Sequence, residues 1–256
     1  MKDSRRDFLK KGLLTGAGAL MIPELAKAVI AEHTAVHAPK IALKKEAVIL
    51  MQGDSITDAG RDRANTICNS LPMLGNGYSL FIAGQLLAKH AAEQLKIYNR
   101  GVSGDKVYQL GMRWEAETLP LKPDVLSILI GVNDYWHTLD GNYKGTAEVY
   151  ETDYRSLLRD TKEKLPDVQL VICEPFALKG GSAIEEGRWF PMFDEYRRIA
   201  KKLAGEFNAV FVPFQAGFDA AIKEAPARYW AYDGVHPDLS GRQLMANLWL
   251  EATGLG

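Results

Sequence analysis

Five short apolar runs rich in Val and Ile are spread along the chain, and they constrain its fold more than any other feature. Runs of this kind that lack clean polar alternation are typical of strands covered by helices on both faces. The runs cover residues 47–51, 96–99, 125–130, 168–173 and 209–212, and segments with a helical period between or after them include 78–95, 146–165, 191–207 and 239–251. This alternation predicts a three-layer α/β/α sandwich with about five parallel strands in a flavodoxin-like order.

The length and charge of the chain bound its organisation and its partners. Its 256 residues suffice for one hydrophobic core and little more. With 31 basic and 32 acidic residues the formal net charge is -1, which provides no general field to attract nucleic acid or an anionic membrane. We therefore predict one domain, over residues 46–256, and no nucleic-acid partner.

The first 28 residues differ in kind from the rest. A basic segment with the pair Arg5-Arg6 precedes the uncharged, apolar residues 12–22, and Ala26-Lys27-Ala28 follows as a small-x-small cleavage pattern. This order predicts an export signal over residues 1–28, of the twin-arginine type, with a linker over residues 29–45 and a periplasmic or extracellular location. An N-terminal membrane anchor or an amphipathic helix is the alternative. Because a bilayer span needs about 20 apolar residues, we expect no stable membrane anchor.

Cysteine usage adds little constraint. Only Cys68 and Cys173 are present, the first in a polar segment and the second in an apolar run. An oxidising compartment permits a disulfide, but two cysteines so far apart in sequence favour two free thiols.

Two of the five histidines are realistic candidates for a general base. His236 follows Asp233 by three residues across a glycine, so a turn can bring the carboxylate to the imidazole and hold its tautomer. His137 follows Asp134 at the same spacing, so spacing alone leaves both open. The other histidines lie in the leader or linker and in a helical segment: His33, His37 and His90.

A nucleophilic hydroxyl fits best at Ser55, directly after the first predicted strand. Gly53 permits a tight turn there, and Ser55 is expected near the positive end of the next helix. Polar, glycine-rich segments also follow the second and third strands, and the carboxyl ends of parallel strands meet at one edge of a sheet. The Gly-x-Ser-x-Gly elbow of α/β-hydrolases is absent from the chain. If Ser55 is the nucleophile of a hydrolase, the hydrolase therefore has another architecture.

Four short blocks, in order, resemble the GDSL or SGNH hydrolase family. They are residues 53–56, Gly104, residues 131–134 and residues 233–236, and the resemblance spans about residues 46–252. The four residues for which the SGNH family is named correspond here to Ser55, Gly104, Asn133 and His236. Residues 53–61 and 113–115 are most similar to the bacterial acetylxylan esterases of this family.

The resemblance implies a role for each of these positions. Ser55 would attack the ester carbonyl, His236 would take its proton and pass it to the leaving alcohol, and Asp233 would orient His236. The backbone N–H groups of Ser55 and Gly104 and the amide of Asn133 would bind the oxyanion, each donor contributing about 3 kcal/mol. Such a site needs no metal and no organic cofactor.

Several residues near these blocks have two open interpretations. Asp54 could brace the loop of the serine or only cap the following helix. Trp136 and Trp230 could contact substrate, since sugar rings stack on such side chains, or could pack in the core. Arg61, like Arg63, could bind polar substrate groups or lie on a solvated surface.

The expected function is the hydrolysis of carboxylic esters, foremost O-acetyl groups on carbohydrate, with a small-molecule or carbohydrate ester as substrate. The carbohydrate follows from the resemblance, whereas the residues themselves indicate only ester chemistry. A lysophospholipase or thioesterase with the same site is the first alternative. A carbohydrate-binding protein without catalysis is the second.

Overall fold

A five-stranded parallel sheet in the order β2-β1-β3-β4-β5 forms the centre of the molecule. The structure is a computed structural model that describes residues 22–33 and 39–256. The strands are β1 (Val48–Gly53), β2 (Lys96–Asn99), β3 (Val125–Leu129), β4 (Gln169–Cys173) and β5 (Val210–Val212). Each predicted run thus contains a strand, and the predicted fold and strand order are confirmed.

Thirteen helices surround this sheet within the residues that the structure describes. They are α1 (Ile22–His33), α2 (Ser55–Asp58), α3 (Leu71–Leu74), α4 (Tyr78–Lys89), α5 (Val107–Met112), α6 (Trp114–Glu117), α7 (Val132–Leu139), α8 (Ala147–Lys164), α9 (Glu186–Trp189), α10 (Met192–Glu206), α11 (Phe214–Ala221), α12 (Ala227–Trp230) and α13 (Leu239–Thr253). Short 3₁₀ turns lie at Ala91–Glu93 and Leu119–Leu121.

The direction of the strand connections decides which face each helix covers. The step from β1 to β2 runs one way across the sheet, and every later step runs the other way. Because parallel crossovers are right-handed, the connection with α4 covers one face and those with α5, α8 and α10 cover the opposite face. The reversal between β1 and β3 opens a crevice at the carboxyl ends of the strands, where ligands bind in sheets of this kind.

The central strands are buried on both faces, as their apolar runs predict. All five residues of β3 are buried, including the hydroxyl-bearing Ser127. Gly53 at the end of β1 lies level with Leu129 at the end of β3. The loops that follow these two strands therefore start side by side.

One predicted helix ends earlier than its pattern indicates. The segment 78–95 forms α4 only as far as Lys89, where the N–H of His90 donates to the carbonyl of Leu86. A 3₁₀ turn follows, and Gln94 has a left-handed backbone with φ of 53°. No glycine or proline follows Lys89 to mark the end of the helix, so the helical pattern of the sequence predicted an end that is too late.

The N-terminal part differs from the predicted linker. Residues 29–33 belong to α1, which runs across the expected cleavage position after Ala28 and packs on α11 and α13. Farther along, the N–H of Ile41 donates to the carbonyl of Thr253 at 3.1 Å. The apolar side of α1 is buried through Leu25, Ala26, Val29 and Ile30. The twin-arginine motif lies outside the described residues.

Two further findings concern the cysteines and the helices. Cys68 and Cys173 are free thiols, and Cys173 is buried beside the hydroxyl of Ser127 at 3.6 Å. In the described part of the chain, no helix combines the length and the hydropathy needed to cross a membrane.

Candidate active site

Ser55 lies at the turn from β1 into α2, as its first helical residue. The Asp54 side chain caps this helix, because its Oδ1 accepts the N–H of Ile56 at 2.9 Å. The turn needs glycine at position 53, since a Cβ there would collide with the carbonyl oxygen of Leu129 on β3. The tight turn predicted from the sequence is therefore present, and it brings the hydroxyl to the carboxyl edge of the sheet.

A chain of hydrogen bonds joins Ser55, His236 and Asp233. Ser55 Oγ lies 2.8 Å from His236 Nε2, and His236 Nδ1 lies 2.6 Å from Asp233 Oδ2. With the ring proton on Nδ1, the histidine donates to the carboxylate and accepts from the serine hydroxyl. Of the two histidines that the sequence leaves open, only His236 bonds to Ser55.

The loop of residues 233–236 is shaped by the same aspartate. Asp233 Oδ1 accepts the backbone N–H groups of Val235 at 2.8 Å and of His236 at 2.7 Å. The loop is held from outside by Leu178, whose N–H donates to the carbonyl of Gly234 at 2.8 Å. One carboxylate thus fixes both the backbone and the ring of the histidine.

The charges of this pair are stabilised by each other. Burial would raise the pKa of Asp233, but the hydrogen bonds from the ring and backbone of His236 and from Val235 outweigh it and lower the pKa. The hydrogen bond to Asp233 raises the pKa of His236 above 6.5, against the opposing effect of burial. The imidazole is therefore a stronger base than a free histidine.

Two backbone donors near Ser55 have no acceptor within residues 22–33 and 39–256, namely the N–H groups of Ser55 and Gly104. Gly104 has a φ of +85°, which favours glycine, and a Cβ there would meet nothing within 4 Å. Asn133 is buried, and its Nδ2 donates to the carbonyl of Asp105 at 3.1 Å. An amide nitrogen carries two hydrogens, so Asn133 keeps one donor for a ligand.

Two buried carboxylates pin the loop that carries Gly104. Asp58 at the end of α2 accepts the N–H of Ser103 at 3.0 Å and its hydroxyl at 2.9 Å. Asp134 on α7 accepts the N–H of Val107 at 3.1 Å. The loops after β1, β2 and β3 are thereby tied together, and Asp134, left uncertain by the sequence, has a positioning role.

Asp54 and Asp134 are both buried behind Ser55. Burial raises the pKa of each carboxyl to about 7. Asp54 Oδ2 is buried and has no hydrogen-bond partner in the described chain. Asp54 therefore caps α2 with one oxygen, and its negative charge, when the carboxyl is ionised, raises the pKa of His236 further.

Arg113 is the site residue for which the sequence indicated no role. It lies between α5 and α6 and is mostly buried, with a side-chain exposure of 13%. Its guanidinium donates to Asp105 Oδ2 at 2.7 Å, to Gln52 Oε1 at 2.9 Å, and to the carbonyls of Arg100 at 2.7 Å and Gly53 at 3.2 Å. It joins the ends of β1 and β2 to the Gly104 loop. Arg113 also pairs with Glu117, four residues farther along, at 2.9 Å. Gln52 and Gly53 lie 61 and 60 residues away in sequence, so no local pattern reveals the junction.

The remaining predicted contacts divide between the site and the core. The Trp136 ring is half-buried, with its centroid 6.2 Å from that of His236. Trp230 is only 5% exposed, and its indole N–H donates to the carbonyl of Ala225. Arg61 is 7% exposed, and its Nε donates to the carbonyl of Gly101 at 2.8 Å. Trp136 thus lies beside the histidine, whereas Trp230 and Arg61 present little surface to a ligand.

The arrangement is one of proton transfer and charge stabilisation by protein groups. Among the described residues, no three His, Cys, Asp or Glu side chains cluster in a way that could ligate a metal. A serine hydroxyl bonded to a histidine, next to unpaired backbone donors, is suited to attack on an acyl carbon. This site at the carboxyl edge of a flavodoxin-like sheet defines the class of α/β/α hydrolases.

The model of the GDSL-like lipase/acylhydrolase family matches residues 52–244, and the chain belongs to this family. It is similar to an acetylxylan esterase of Geobacillus stearothermophilus, with 34% identity over 210 residues that cover 80% of this chain and 93% of the relative. The protein is accordingly a carboxylic ester hydrolase.

Solved structures agree with this assignment. A GDSL-like lipase from Parabacteroides merdae, so described, has 67% identity and a TM-score of 0.84, over 85% of this chain and all of that one. The acetylxylan esterase from Geobacillus stearothermophilus has 32% identity and a TM-score of 0.73, over 84% of this chain and 97% of that one. An α/β hydrolase from the metagenome of Lake Arreo has 28% identity and a TM-score of 0.76, over 83% and 97%.

Proposed function

We propose that the protein removes O-acetyl groups from carbohydrate through an acyl-enzyme on Ser55. The observation that carries this proposal is the hydrogen-bonded chain from Ser55 Oγ through His236 to Asp233, with distances of 2.8 and 2.6 Å. A carboxylate, an imidazole and a hydroxyl in this order allow a proton to leave the hydroxyl as it attacks.

The reaction runs in two steps. Ser55 Oγ bonds to the ester carbonyl carbon while His236 Nε2 takes the hydroxyl proton, and the N–H groups of Ser55 and Gly104 and the amide of Asn133 bind the oxyanion. The C–O bond to the sugar breaks, and His236 returns the proton to the leaving alcohol. A water molecule, deprotonated by His236, then releases acetate and restores Ser55.

The relatives support the acetyl group and the residue types. Two solved structures of the Geobacillus enzyme are described as catalytic mutants, one with a serine and one with an aspartate replaced by alanine. These are the same residue types as Ser55 and Asp233. The name of that enzyme, acetylxylan esterase, favours an acetylated carbohydrate as the substrate of this chain.

The test is hydrolysis of nitrophenyl esters from acetate to laurate by the wild type and by Ser55→Ala. We expect the highest rate with acetate and no turnover above background in Ser55→Ala, whereas the matched control Ser240→Ala keeps the wild-type rate. An acetylated Ser55 peptide, found by mass spectrometry after rapid quenching, would support the acyl-enzyme. An optimum at long chains would indicate a lipid substrate, and no turnover on any ester would favour a binding protein.

We also propose export through the twin-arginine route, on the strength of Arg5-Arg6, the apolar residues after them and Ala26-Lys27-Ala28. Replacement of both arginines by lysine should retain the esterase in the cytoplasm of the producing cell. Equal periplasmic activity of the wild type and the double variant would contradict this route.

A further inference from the structure

Two stacked tyrosines lie close to the loop that carries Gly104. The rings of Tyr108 and Tyr143 have centroids 5.7 Å apart and are inclined by only 16°. Tyr108 is 41% exposed although its ring is stacked on that of Tyr143. The pair therefore presents a flat aromatic surface to solvent that the proposed reaction does not use.

Several groups hold Tyr143 in place beneath Tyr108. Its N–H donates to the carbonyl of His137 at 2.9 Å. The ammonium of Lys106 lies 5.3 Å from the centre of its ring. At position 145 only glycine leaves room, since a Cβ there would collide with the Tyr143 ring. The stacked pair is thus a built feature rather than a chance contact on the surface.

The pair is tied to the catalytic residues through two short connections. Tyr108 follows Gly104 by four residues, a stretch that spans at most about 14 Å. Tyr143 is held by His137, whose neighbour Trp136 has its ring 6.2 Å from His236. A substrate with its ester at Ser55 can therefore reach Tyr108 with a neighbouring part of the same molecule.

A groove of about 420 Å³ continues from Tyr108 between α5 and α8. This volume lies in the range of small-molecule sites. Hydrogen-bond acceptors line its wall on α8, among them the carboxylates of Asp153 and of Asp160, the second of which lies 3.9 Å from the guanidinium of Arg159. The lining of the groove includes Tyr108, Gly111, Asp153, Ser156 and Asp160.

We propose that Tyr108, backed by Tyr143, and the groove beyond it bind the sugar chain that carries the ester. This inference rests on the proposed function and names the part of the substrate that the enzyme recognises. A sugar ring has an apolar face that packs on an aromatic ring and hydroxyl groups at its edge that donate to carboxylates. The ligand is a neutral oligosaccharide of at least two units.

The same groove is unsuited to the other substrates of an esterase. An acyl tail would bury Asp153 and Asp160 against hydrocarbon without hydrogen bonds, which is unfavourable. The groove is also lined by Lys164, but this lysine pairs with Glu115 at 2.6 Å. Asp153 and Asp160 therefore leave the groove acidic on balance, which disfavours the anionic headgroup of a phospholipid. The carboxylates of these side chains can accept hydrogen bonds from neutral hydroxyl groups.

The first test compares two esters in one enzyme. For Tyr108→Ala we expect the ratio of kcat/KM for an acetylated xylo-oligosaccharide to kcat/KM for nitrophenyl acetate to fall about tenfold, through a higher KM for the sugar ester. Tyr108→Trp should restore the ratio. The control is Tyr229→Ala, which removes a tyrosine that is 58% exposed and lies outside the pair. An unchanged ratio in Tyr108→Ala would overturn the proposal.

A second test measures binding without turnover. Deacetylated xylo-oligosaccharides of two and six units are titrated into Ser55→Ala protein by calorimetry, with and without Tyr108→Ala or Ser156→Phe. Tyr108→Ala should weaken the binding of both, and Ser156→Phe, which fills the groove, should weaken the longer one more. Equal affinities in all three proteins would overturn the proposed sugar binding by Tyr108 and the groove, even if the wild type is an acetyl esterase. Failure of the wild type to hydrolyse any ester would instead contradict the proposed function.

Discussion

At the scale of single residues, the site is governed by where carboxylates lie relative to His236. Asp233 contacts the imidazole directly, and their hydrogen bond lowers the pKa of the aspartate and raises that of the histidine. Asp54 is buried without a counter-ion on one oxygen. The first effect strengthens the base, and the second lowers the stability of the fold when the carboxyl is ionised.

The pH dependence of activity should report the raised pKa of His236. The base must be neutral, so kcat/KM for nitrophenyl acetate should fall on the acid side with a midpoint above 6.5, the ordinary value. Asp233→Asn replaces the charged acceptor of His236 by a neutral amide, so the pKa of His236 falls and the midpoint should move to lower pH as the rate drops. Rates measured across both midpoints check this, and a flat acid limb in the wild type would contradict the assignment of His236.

The contribution of Asp54 to the stability of the wild type should depend on pH in the opposite sense to that of a carboxylate in an ion pair. The pKa of Asp54 is about 7 in the folded state against 3.8 for an ordinary aspartate, so the unfolded chain loses its proton first. Folding is therefore increasingly disfavoured as pH rises from about 4 to 7, by at most about 4 kcal/mol. Asparagine can still accept the N–H of Ile56 and carries no charge.

We expect the unfolding midpoint of Asp54→Asn to exceed that of the wild type at pH 8 and to match or fall below it at pH 4. Thermal unfolding at both pH values is the measurement, with Asp62→Asn as the exposed control. A difference between Asp54→Asn and the wild type that is the same at both pH values would contradict the proposed ionisation of Asp54.

At the scale of secondary-structure elements, the loops after β1, β2 and β3 act as one unit. Asp58 ties the first to the second, Asp134 ties the second to α7, and Arg113 bonds to both strand ends. The blocks at these strand ends could be recognised because each is a short local pattern. The bonds between them could not, since their partners are brought together only by the order of the strands.

Among these contacts, we expect catalysis to be most sensitive to substitution of Arg113, which joins the ends of β1 and β2 to the Gly104 loop. Arg113→Lys keeps the charge, but a lysine cannot reach the five separated acceptors of the guanidinium at once, because only the planar guanidinium has fixed, divergent donors. The Gly104 donor should shift, and since small displacements of catalytic groups can cost about 10²-fold, kcat should fall at least tenfold. Steady-state kinetics and thermal unfolding are measured together, with Arg159→Lys on α8 as the exposed control. An unchanged kcat would contradict the junction's role.

Sequence patterns predicted the presence of strands and helices better than the residues at which they end or the side chains that pack around them. The runs that became β1 to β5 are rich in residues that suit buried strands, so their positions followed directly. The end of α4 at Lys89 and the helical state of residues 29–33 depend on packing that no local pattern contains. For the same reason Trp230 could be considered a substrate contact although its ring is 5% exposed.

At the scale of the whole molecule, α1 adds a packed helix to the layer formed by α11 and α13. It buries Val29 at 5% exposure, while its neighbour on the outer side, Lys27, is exposed. The docked position matters for processing, because a cut after Ala28 would divide the helix.

We expect Val29→Asp in the full chain to lower the unfolding midpoint by several degrees, since it loses about 2 kcal/mol of apolar burial and buries a charge. Lys27→Asp on the exposed side should leave the midpoint close to that of the wild type. Thermal unfolding of both variants, with the N-terminus determined by mass spectrometry, checks this. Equal midpoints for the two variants in uncleaved protein would contradict the docking of α1.

The bond between Ser55 and His236 joins positions 181 residues apart. The proposed nucleophile and the proposed base therefore come from distant parts of the described domain, Ser55 after β1 and His236 just before α13. Residues 233–236 must be synthesised before this pair can form, and under the proposed mechanism a fragment that contains all five strands but stops before Asp233 should not hydrolyse nitrophenyl acetate. Under the proposed mechanism, esterase activity thus reports that the loop of residues 233–236 has folded against the turn after β1.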